Sequence, residues 1–576
     1  LFGLILAIGI VVDDAIVVVE NVERNIADGL PPAQAARVTM DEVSTAVIGT
    51  TLVLIGVFAP TIFVEGITGR FYEQFAVTIS VATVISSINS LSLSPALAAL
   101  LLRPKRDEGG VFAAVSRGFN AGFDALAGGY AAVVRALVST TAMLAVSFLV
   151  FAGLLGGAWW MSQKVPTGFI PPMDQGYAIV VVQLPDGASL SRTDAVVQQA
   201  SEIVNSVEGV RDAVAFAGFS GATFTVAPNQ GVIFAAFEDF PERLAAGRPA
   251  DVIIGELFGR LQAIREAFII AIPPPSVRGV GSGGGFKLQL QDRESDDMSR
   301  VLRTAFAVMG AAQGEEAVTG VFTTFSNTSP QIFLEIDRVR AQMLNVPIGA
   351  IFEALSVNLG STYVNDFNAF GNLYQVVAQA DQTFRLEQED IAGLKVRSAT
   401  GALVPLGTLV AVRPAAGPIL VQRYNMLVSV PLQGEAAQGF STGQALATME
   451  ALTDQIAPPG VEYEWTELAL QEKQSSGSTA AIFALSALFA FLVLAALYES
   501  WVLPLAIVLI VPTAILAALI GVDLRGMDNN VLTQVGLIVL VGLAAKNAIL
   551  IVEFARQGQR EGQGPVEAAI EACRLR

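Results

Sequence analysis

Two adjacent carboxylates, Asp13 and Asp14, stand inside an apolar run at residues 4–19. An ionisable side chain at mid-bilayer costs about 2.5–3.5 kcal/mol on insertion scales, so such a residue marks a functional site. A buried carboxylate relieves that cost by taking up a proton or by meeting a cation. The sequence offers one cation in a similar setting, Lys546, which lies inside a second apolar run and is followed by Asn547. There is no histidine and a single cysteine, Cys573. The usual near-neutral proton carrier is therefore absent, and no intrachain disulfide can form. Proton chemistry here must run on carboxylates and lysine.

The two apolar runs are related to each other. A shift of 533 positions lays Gly9 on Gly542, Ala15 on Ala548, Ile16 on Ile549, Val19 on Val552 and Glu20 on Glu553. It continues with Pro32 on Pro565, Ala35 on Ala568 and Ala36 on Ala569, and it sets Asp13 and Asp14 against Lys546 and Asn547. Both copies run in the same direction, a parallel internal repeat of the kind found in transporters. Symmetric halves are expected to put the two helices side by side, with the anionic pair facing the cation. At 3.6 residues per turn, neighbouring residues diverge by about 100°, so one ammonium between the two carboxylates reaches both. Protonating either one would weaken its pairing with Lys546 and shift helix packing. The competing reading is a static ion pair that fixes the fold. Buried pairs stabilise poorly, and one carboxylate is in excess, which favours the relay. Glu20 and Glu553 read as solvated carboxylates near the membrane interface.

Composition supports a membrane setting. The 576 residues are 53% hydrophobic and 15% charged, with mean hydropathy +0.57. This predicts a membrane protein with a large water-exposed part. A net charge of −18 argues against nucleic-acid binding. No G-x-x-x-x-G-K-[ST] run is present, which argues against a P-loop ATPase, and no catalytic triad is visible, so the chain does not read as an enzyme. The lack of histidine and only ten scattered methionines argue against a soft-metal path. The chain begins inside an apolar segment without a methionine and reads as an internal fragment of a longer protein.

The elements that would hold these residues follow from periodicity. Residues 1–102 are expected to hold three membrane helices. The first covers about 1–20 and is truncated. The second covers 44–64, bent at Pro60 and preceded by a short polar helix at 33–43. The third covers 72–102, after a turn at 65–70. Residues 103–137 read as a cytoplasmic loop and an amphipathic surface helix. Arg103, Lys105 and Arg106 mark the inner side, and Val111, Phe112, Val115, Phe119, Phe123, Leu126, Tyr130 and Val133 form the apolar face. A fourth span covers 138–163, with Trp159 and Trp160 at its outer end.

Residues 164–285 then form one α+β subdomain, with strands at 178–184, 210–216 and 230–237. Its helices are at 190–207, capped near Ser191, and at 250–267. Residues 286–328 begin a second subdomain, 329–419 interrupt it, and 420–475 complete it. Strand–helix–strand recurs, as in split βαβ, ferredoxin-like units. The glycine run 281–285 reads as a flexible linker between them. Residues 476–556 hold three more spans, near 478–498, 502–521 and 531–553, and 557–576 are a truncated cytoplasmic segment. The fold class is thus an α-helical transmembrane bundle plus an α+β region, with a parallel repeat of the membrane halves.

At this point a family resemblance is visible. The runs GIVVDDAIVVVENVER at 9–24 and GLAAKNAILIVE at 542–553 resemble the resistance–nodulation–division superfamily. FIPPMDQG at 169–176, GSTYVNDF at 360–367 and ALYESW at 496–501 point to its hydrophobe/amphiphile efflux branch. The resemblance covers essentially the whole chain. It implies a stretch from the fourth to the tenth of twelve membrane helices, and a homotrimer in the Gram-negative inner membrane. It further implies a periplasmic adaptor protein, an outer-membrane channel, no cofactor, and proton-driven export of hydrophobic or amphiphilic compounds.

By the same resemblance 164–285 and 286–328 with 420–475 are porter subdomains, and 329–419 is a docking-type insertion. Asp13, Asp14, Lys546 and Asn547 become the proton relay. The stretch FAGFSGATF at 216–224 is similar to a flexible loop at the family's drug pocket. Phe216, Phe219 and Phe224, with Phe234, become candidate substrate contacts. Aromatic walls bind varied apolar molecules by area and stacking, though Phe234, on a strand, could equally be core. An alternative on the same fold is a non-multidrug member, an export accessory or a metal or lipid exporter.

Overall fold

The computed structural model describes residues 2–103, 111–295, 297–476 and 479–575. The first helix, α1 (Phe2–Ala27), runs a further two turns past residue 20. The predicted polar helix and second span are one helix, α2 (Pro32–Phe58). Pro32 lies in its first turn, where a missing N–H leaves nothing unpaired, and no breaker follows until Pro60. That proline sits in a 3-10 turn, Ala59–Phe63, and so ends the helix instead of bending it. The predicted turn at 65–70 is already helical in α3 (Gly66–Leu101). A Cβ on Gly69 would lie 1.8 Å from the Val64 carbonyl oxygen, so only glycine lets the chain re-enter a helix this sharply.

Helix α4 (Val111–Val138) and helix α5 (Thr141–Lys164) meet at a break where the Thr140 side chain caps α5, accepting from the Met143 N–H at 3.2 Å. On α4 the side chains of Phe119, Phe123, Leu126, Tyr130 and Val133 are all exposed. Lys105 and Arg106, and the side chains of Val111, Phe112 and Val115, lie outside the described residues.

The α+β region opens with β1 (Tyr177–Gln183), α6 (Leu190–Asn205), β2 (Val210–Phe219) and β3 (Val226–Phe237). Next come α7 (Phe240–Ala245), α8 (Ala250–Leu261) and β4 (Phe268–Ile272). The cap of α6 is Ser189, not Ser191. The predicted helix 250–267 stops at Leu261, and β4 follows, because a five-residue apolar run reads equally as helix or buried strand. The four strands order β2-β3-β1-β4, every neighbour antiparallel. One face packs under α6 and α8, with Val180, Val182, Ile233 and Leu257 at the centre.

The second unit contains β5 (Phe286–Asp292), α9 (Met298–Ala312) and β6 (Val318–Phe322). Its sheet continues after an excursion that leaves along β7 (Ser329–Ile336). The excursion holds α10 (Arg338–Met343), α11 (Ile348–Leu355), the hairpin β8 (Thr362–Ala369) and β9 (Asn372–Ala378), α12 (Gln388–Gly393), β10 (Lys395–Arg397) and β11 (Leu403–Pro405). It returns along β12 (Val410–Gly417), which pairs with β7 from Ile336↔Val410 to Ser329↔Gly417. Neither β8 nor β12 was expected from the sequence. The first is largely polar and exposed, and the second carries Pro414 and two alanines, which mute a strand signal.

The unit resumes with β13 (Arg423–Tyr424), β14 (Leu427–Ala436), α13 (Thr442–Ile456), β15 (Val461–Thr466) and α14 (Glu467–Ser476). Here β6, β14, β5 and β15 lie side by side, the spatial pattern of the first sheet. The glycine run between the units is packed, not loose: a Cβ on Gly285 (φ +81°) would lie 2.1 Å from the Gly434 carbonyl oxygen.

The bundle closes with α15 (Thr479–Tyr498), α16 (Val502–Val508), α17 (Val511–Leu524), α18 (Val531–Arg560) and α19 (Pro565–Leu575). The predicted span 502–521 is broken between α16 and α17, since Pro512 has no N–H to return to the preceding turn. Pro32 and Pro565, aligned by the 533-residue shift, each open a helix. Among the described residues eight helical stretches are long and apolar enough to cross a membrane: Phe2–Ala27, Pro32–Phe63, Gly66–Leu101, Ala121–Val138, Thr141–Lys164, Ala481–Tyr498, Val502–Leu524 and Val531–Arg560. The stretch Ala121–Val138 adds one to the seven expected.

A buried clamp ties the first unit to the chain leaving the bundle. Arg243 has a side chain with no exposure; it pairs with Asp174 at 2.6 Å and stacks on Phe240 at 4.6 Å. Burial alone would raise the Asp174 pKa, but the guanidinium and the N–H groups of Gly176 and Ala250 outweigh it and hold the carboxyl below its usual range. A lowered folded-state pKa adds stability above the ordinary carboxylate range near pH 4 and loses it as pH falls through the folded value. Arg243→Ala is expected to cost about 1.5–3 kcal/mol, since it removes a fully buried side chain and its hydrogen bonds to a charged partner. Thermal unfolding at pH 7 checks it, and a melting temperature unchanged from the parent would contradict it.

Candidate functional site

Lys546 projects from α18 and meets both carboxylates of α1. Its Nζ lies 3.0 Å from Asp13 Oδ2 and pairs directly with Asp14 Oδ1. Lys546 and Asp14 are each 3% exposed, whereas the Asp13 side chain is 44% exposed. The 100° step along α1 separates the two acids in this way: one points into the bundle, the other toward its surface. Gly542, one turn before Lys546, makes the approach possible. A Cβ there would come within 3.0 Å of Leu54 on α2, so the glycine lets α18 seat against that helix. Tyr72 on α3 fixes the other end of α18 by donating to Gln534 Oε1 at 2.5 Å.

The sequence reading did not single out Ser86. On α3, its Oγ lies 3.1 Å from Asp14 Oδ2 and 3.0 Å from the Val11 carbonyl, so its one proton can serve either acceptor. The signal was present: Ser86, Ser87 and Ser90 are small hydroxyl residues grouped in an otherwise apolar span, and all three are buried. A groove of about 550 Å³ between α1 and α3 is lined by Ser86, Asn89, Glu20 and Glu23. It connects the serine that bonds Asp14 with the polar end of α1. Asn547, by contrast, is exposed and is not brought to the carboxylates. One residue beyond Lys546, it is turned away by the same 100° step that separates Asp13 from Asp14.

The charge count decides what this centre can do. One ammonium faces two carboxylates, one buried and one half-exposed, so the site carries one negative charge too many. Taking up a single proton neutralises it. A proton on either acid removes one of the two attractions holding Lys546 and alters how α18 is held against α1.

The four phenylalanines form a chain on the edge of the first sheet. Ring centroids lie 6.0 Å apart for Phe224 and Phe219, 6.4 Å for Phe219 and Phe216, and 6.1 Å for Phe216 and Phe234. Phe216 and Phe234 are diagonal neighbours on the face away from the helices, because Phe234 pairs with Val214 and Phe216 with Val232. Phe219 would point to the opposite face in a regular strand. A register irregularity between Ala217 and Phe219, where Gly218 takes φ +81°, turns it to the same side.

The expected loop is therefore part strand and part turn. Phe219 ends β2, and only 220–225 remain as a turn closed by the Ser220 N–H to Thr225 carbonyl bond at 2.8 Å. Phe224 sits in that turn at φ +54° and is 64% exposed. Phe219 and Phe234 are half-buried against Ile179, Val181 and Phe322, so each is partly core and partly wall. Phe322 belongs to the second unit, and the aromatic face thus looks toward the cleft between units. Among the described residues no group of three or more His, Cys, Asp or Glu side chains is arranged to hold a metal ion.

The fold and this centre together define a multi-pass membrane protein with an unbalanced charge cluster buried in its helix bundle. The profile of the AcrB/AcrD/AcrF family matches residues 1–576, and the chain belongs to that family. It is 38% identical over 590 residues to the multidrug/solvent efflux pump membrane transporter MepB of Pseudomonas putida, which covers 100% of this chain and 55% of that protein. It is 37% identical over 586 residues to the multidrug export protein AcrF of Escherichia coli (strain K12), covering 100% of this chain and 56% of that protein. The multidrug resistance protein MdtF of the same strain is 37% identical over 584 residues, again 100% of this chain and 55% of the other. The chain spans about half the length of these relatives.

Proposed function

We propose that this chain belongs to a proton-driven efflux transporter for hydrophobic and amphiphilic compounds. The observation that carries the proposal is Lys546 held between Asp13 and Asp14 with one carboxylate in excess. Half-exposed Asp13 exchanges protons with water. Buried Asp14, held by Ser86, keeps the ammonium when Asp13 is neutral. The two proton states differ in how α18 grips α1, and that difference is what drives the export cycle. No cofactor takes part; the energy comes from the proton gradient. The aromatic chain Phe224–Phe219–Phe216–Phe234 supplies a substrate wall.

In this proposal α1 and α18 are equivalent helices of two parallel repeats, and each α+β unit is a split βαβ, ferredoxin-like porter subdomain. The two units face the periplasm above the inner membrane of a Gram-negative cell. The excursion between β7 and β12 is the docking element. The working assembly is a homotrimer that meets a periplasmic adaptor and an outer-membrane channel. The names of the relatives support efflux over the accessory and metal or lipid exporter readings.

The test is a susceptibility panel on a pump-deleted Gram-negative host expressing the complete protein. The expected result is raised tolerance to several chemically unrelated apolar compounds, with dye efflux that stops on adding a protonophore. Unchanged tolerance across the panel, or efflux indifferent to the protonophore, would refute the proposal.

A further inference from the structure

Helix α18 carries Lys546 and runs without a proline from Val531 to Arg560. At 1.5 Å per residue, Lys546 stands about 22 Å from Val531 along one continuous helix. The backbone at the start of that helix is tied into the α+β region. Residues 166–169, which leave α5 for the first unit, pair in parallel with 529–531. The Asn529 N–H donates to the Pro166 carbonyl at 2.9 Å, the Gly168 N–H to the Asn529 carbonyl at 3.4 Å and the Val531 N–H to the Phe169 carbonyl at 2.9 Å.

The two segments are closely seated. A Cβ on Gly168 would lie 1.7 Å from Asp528 Oδ2. Phe169 and Ile170 are buried in the same core as Val531 and Val535. The second unit rests on the same strand. The Phe169 N–H donates to Thr442 Oγ1, in the first turn of α13, at 3.2 Å. A Cβ on Gly443 would lie 2.6 Å from the Thr167 carbonyl oxygen, so α13 sits directly on the chain there. On the bundle side, Tyr72 of α3 holds α18 through Gln534, three residues past Val531.

We propose that this short ladder is the linkage by which α18 moves both α+β units. Coupling is carried by rigid elements in contiguous contact. A change in how Lys546 holds α18 is delivered at 529–531. From there it passes to the strand entering the first unit and to the first turn of α13 in the second. One helix thus acts on two units at a single point. The inference rests on reading the Asp13–Asp14–Lys546 centre as the switch that acts on α18, and the linkage can be tested apart from that switch.

Hydrogen exchange of the complete detergent-solubilised protein, read by mass spectrometry, is the test. Asp14→Asn loosens α18 at the centre. Tyr72→Phe loosens its other end from α3 without touching the centre. In each variant the Gly168 and Phe169 N–H groups and the first turn of α13 should exchange about twofold to tenfold faster than in the parent, the factor that one hydrogen bond is worth. The Asp337 N–H, bonded to the Leu409 carbonyl in the excursion, lies off this route and should exchange as in the parent. Unchanged exchange at the ladder in both variants, or an equal rise at Asp337, would overturn the linkage. A rise in Tyr72→Phe alone would uphold the linkage and count against the switch.

Discussion

Asp14→Asn in the complete protein is expected to abolish proton-coupled efflux while leaving the protein folded and in the membrane. The substitution keeps the shape and polarity of the side chain. It also balances the centre, with one ammonium, Lys546, against one carboxylate, Asp13, at 3.0 Å. If the cluster merely fixed the fold, removing the excess charge from a residue only 3% exposed should be tolerated or even helpful. If the excess is what accepts the proton, transport must fail.

Lys546→Ala should fail in the complementary way. Without the ammonium, a proton on either acid no longer changes how α18 is held against α1. Dye efflux in energised cells, with membrane protein quantified alongside, checks both variants. Undiminished efflux by Asp14→Asn would sink the relay.

The second large effect is expected at Phe219. It is the middle of the aromatic chain, 6.4 Å from Phe216 and 6.0 Å from Phe224. Each such ring pair contributes about 0.5–1.5 kcal/mol beyond its area. A ligand ring stacked on Phe219 would lose a contact of the same size in Phe219→Ala, a change of roughly twofold to tenfold in affinity. The expected result is an altered substrate range, with large aromatic compounds losing most, and proton coupling left intact. Because Phe219 also packs on Ile179 and Phe322, some loss of stability accompanies it. Phe216→Ala separates the two effects, since Phe216 is 47% exposed and contributes less to the core. A resistance profile unchanged by both variants would mean that the aromatic chain is not a substrate wall.

Much of this was readable from residue types alone. Charged side chains in an apolar run are costly enough that Asp13, Asp14 and Lys546 stood out without any structure, and the shift of 533 residues joined them across most of the chain. Apolar length located the membrane helices for the same reason, since burying an unpaired backbone in lipid leaves few alternatives to a helix. The helix ends were less legible. Pro60 and Pro512 ended or split helices at places that periodicity runs straight through, and α2 absorbed a polar segment because nothing in it stops a helix.

What the sequence by itself determined is the chemistry: two acids, one base, no histidine, and a single cysteine. What only the tertiary structure decided is which atoms face which. The 100° step along α1 leaves Asp14 buried and Asp13 half open, and the same step on α18 turns Asn547 away from the site. Ser86 joins it from a helix that no local pattern connects to Asp14. A register irregularity at Gly218 puts Phe219 beside Phe216. Each of these depends on rotation about a helix axis or on strand register, and a shift of one residue reverses either one without changing composition or hydropathy.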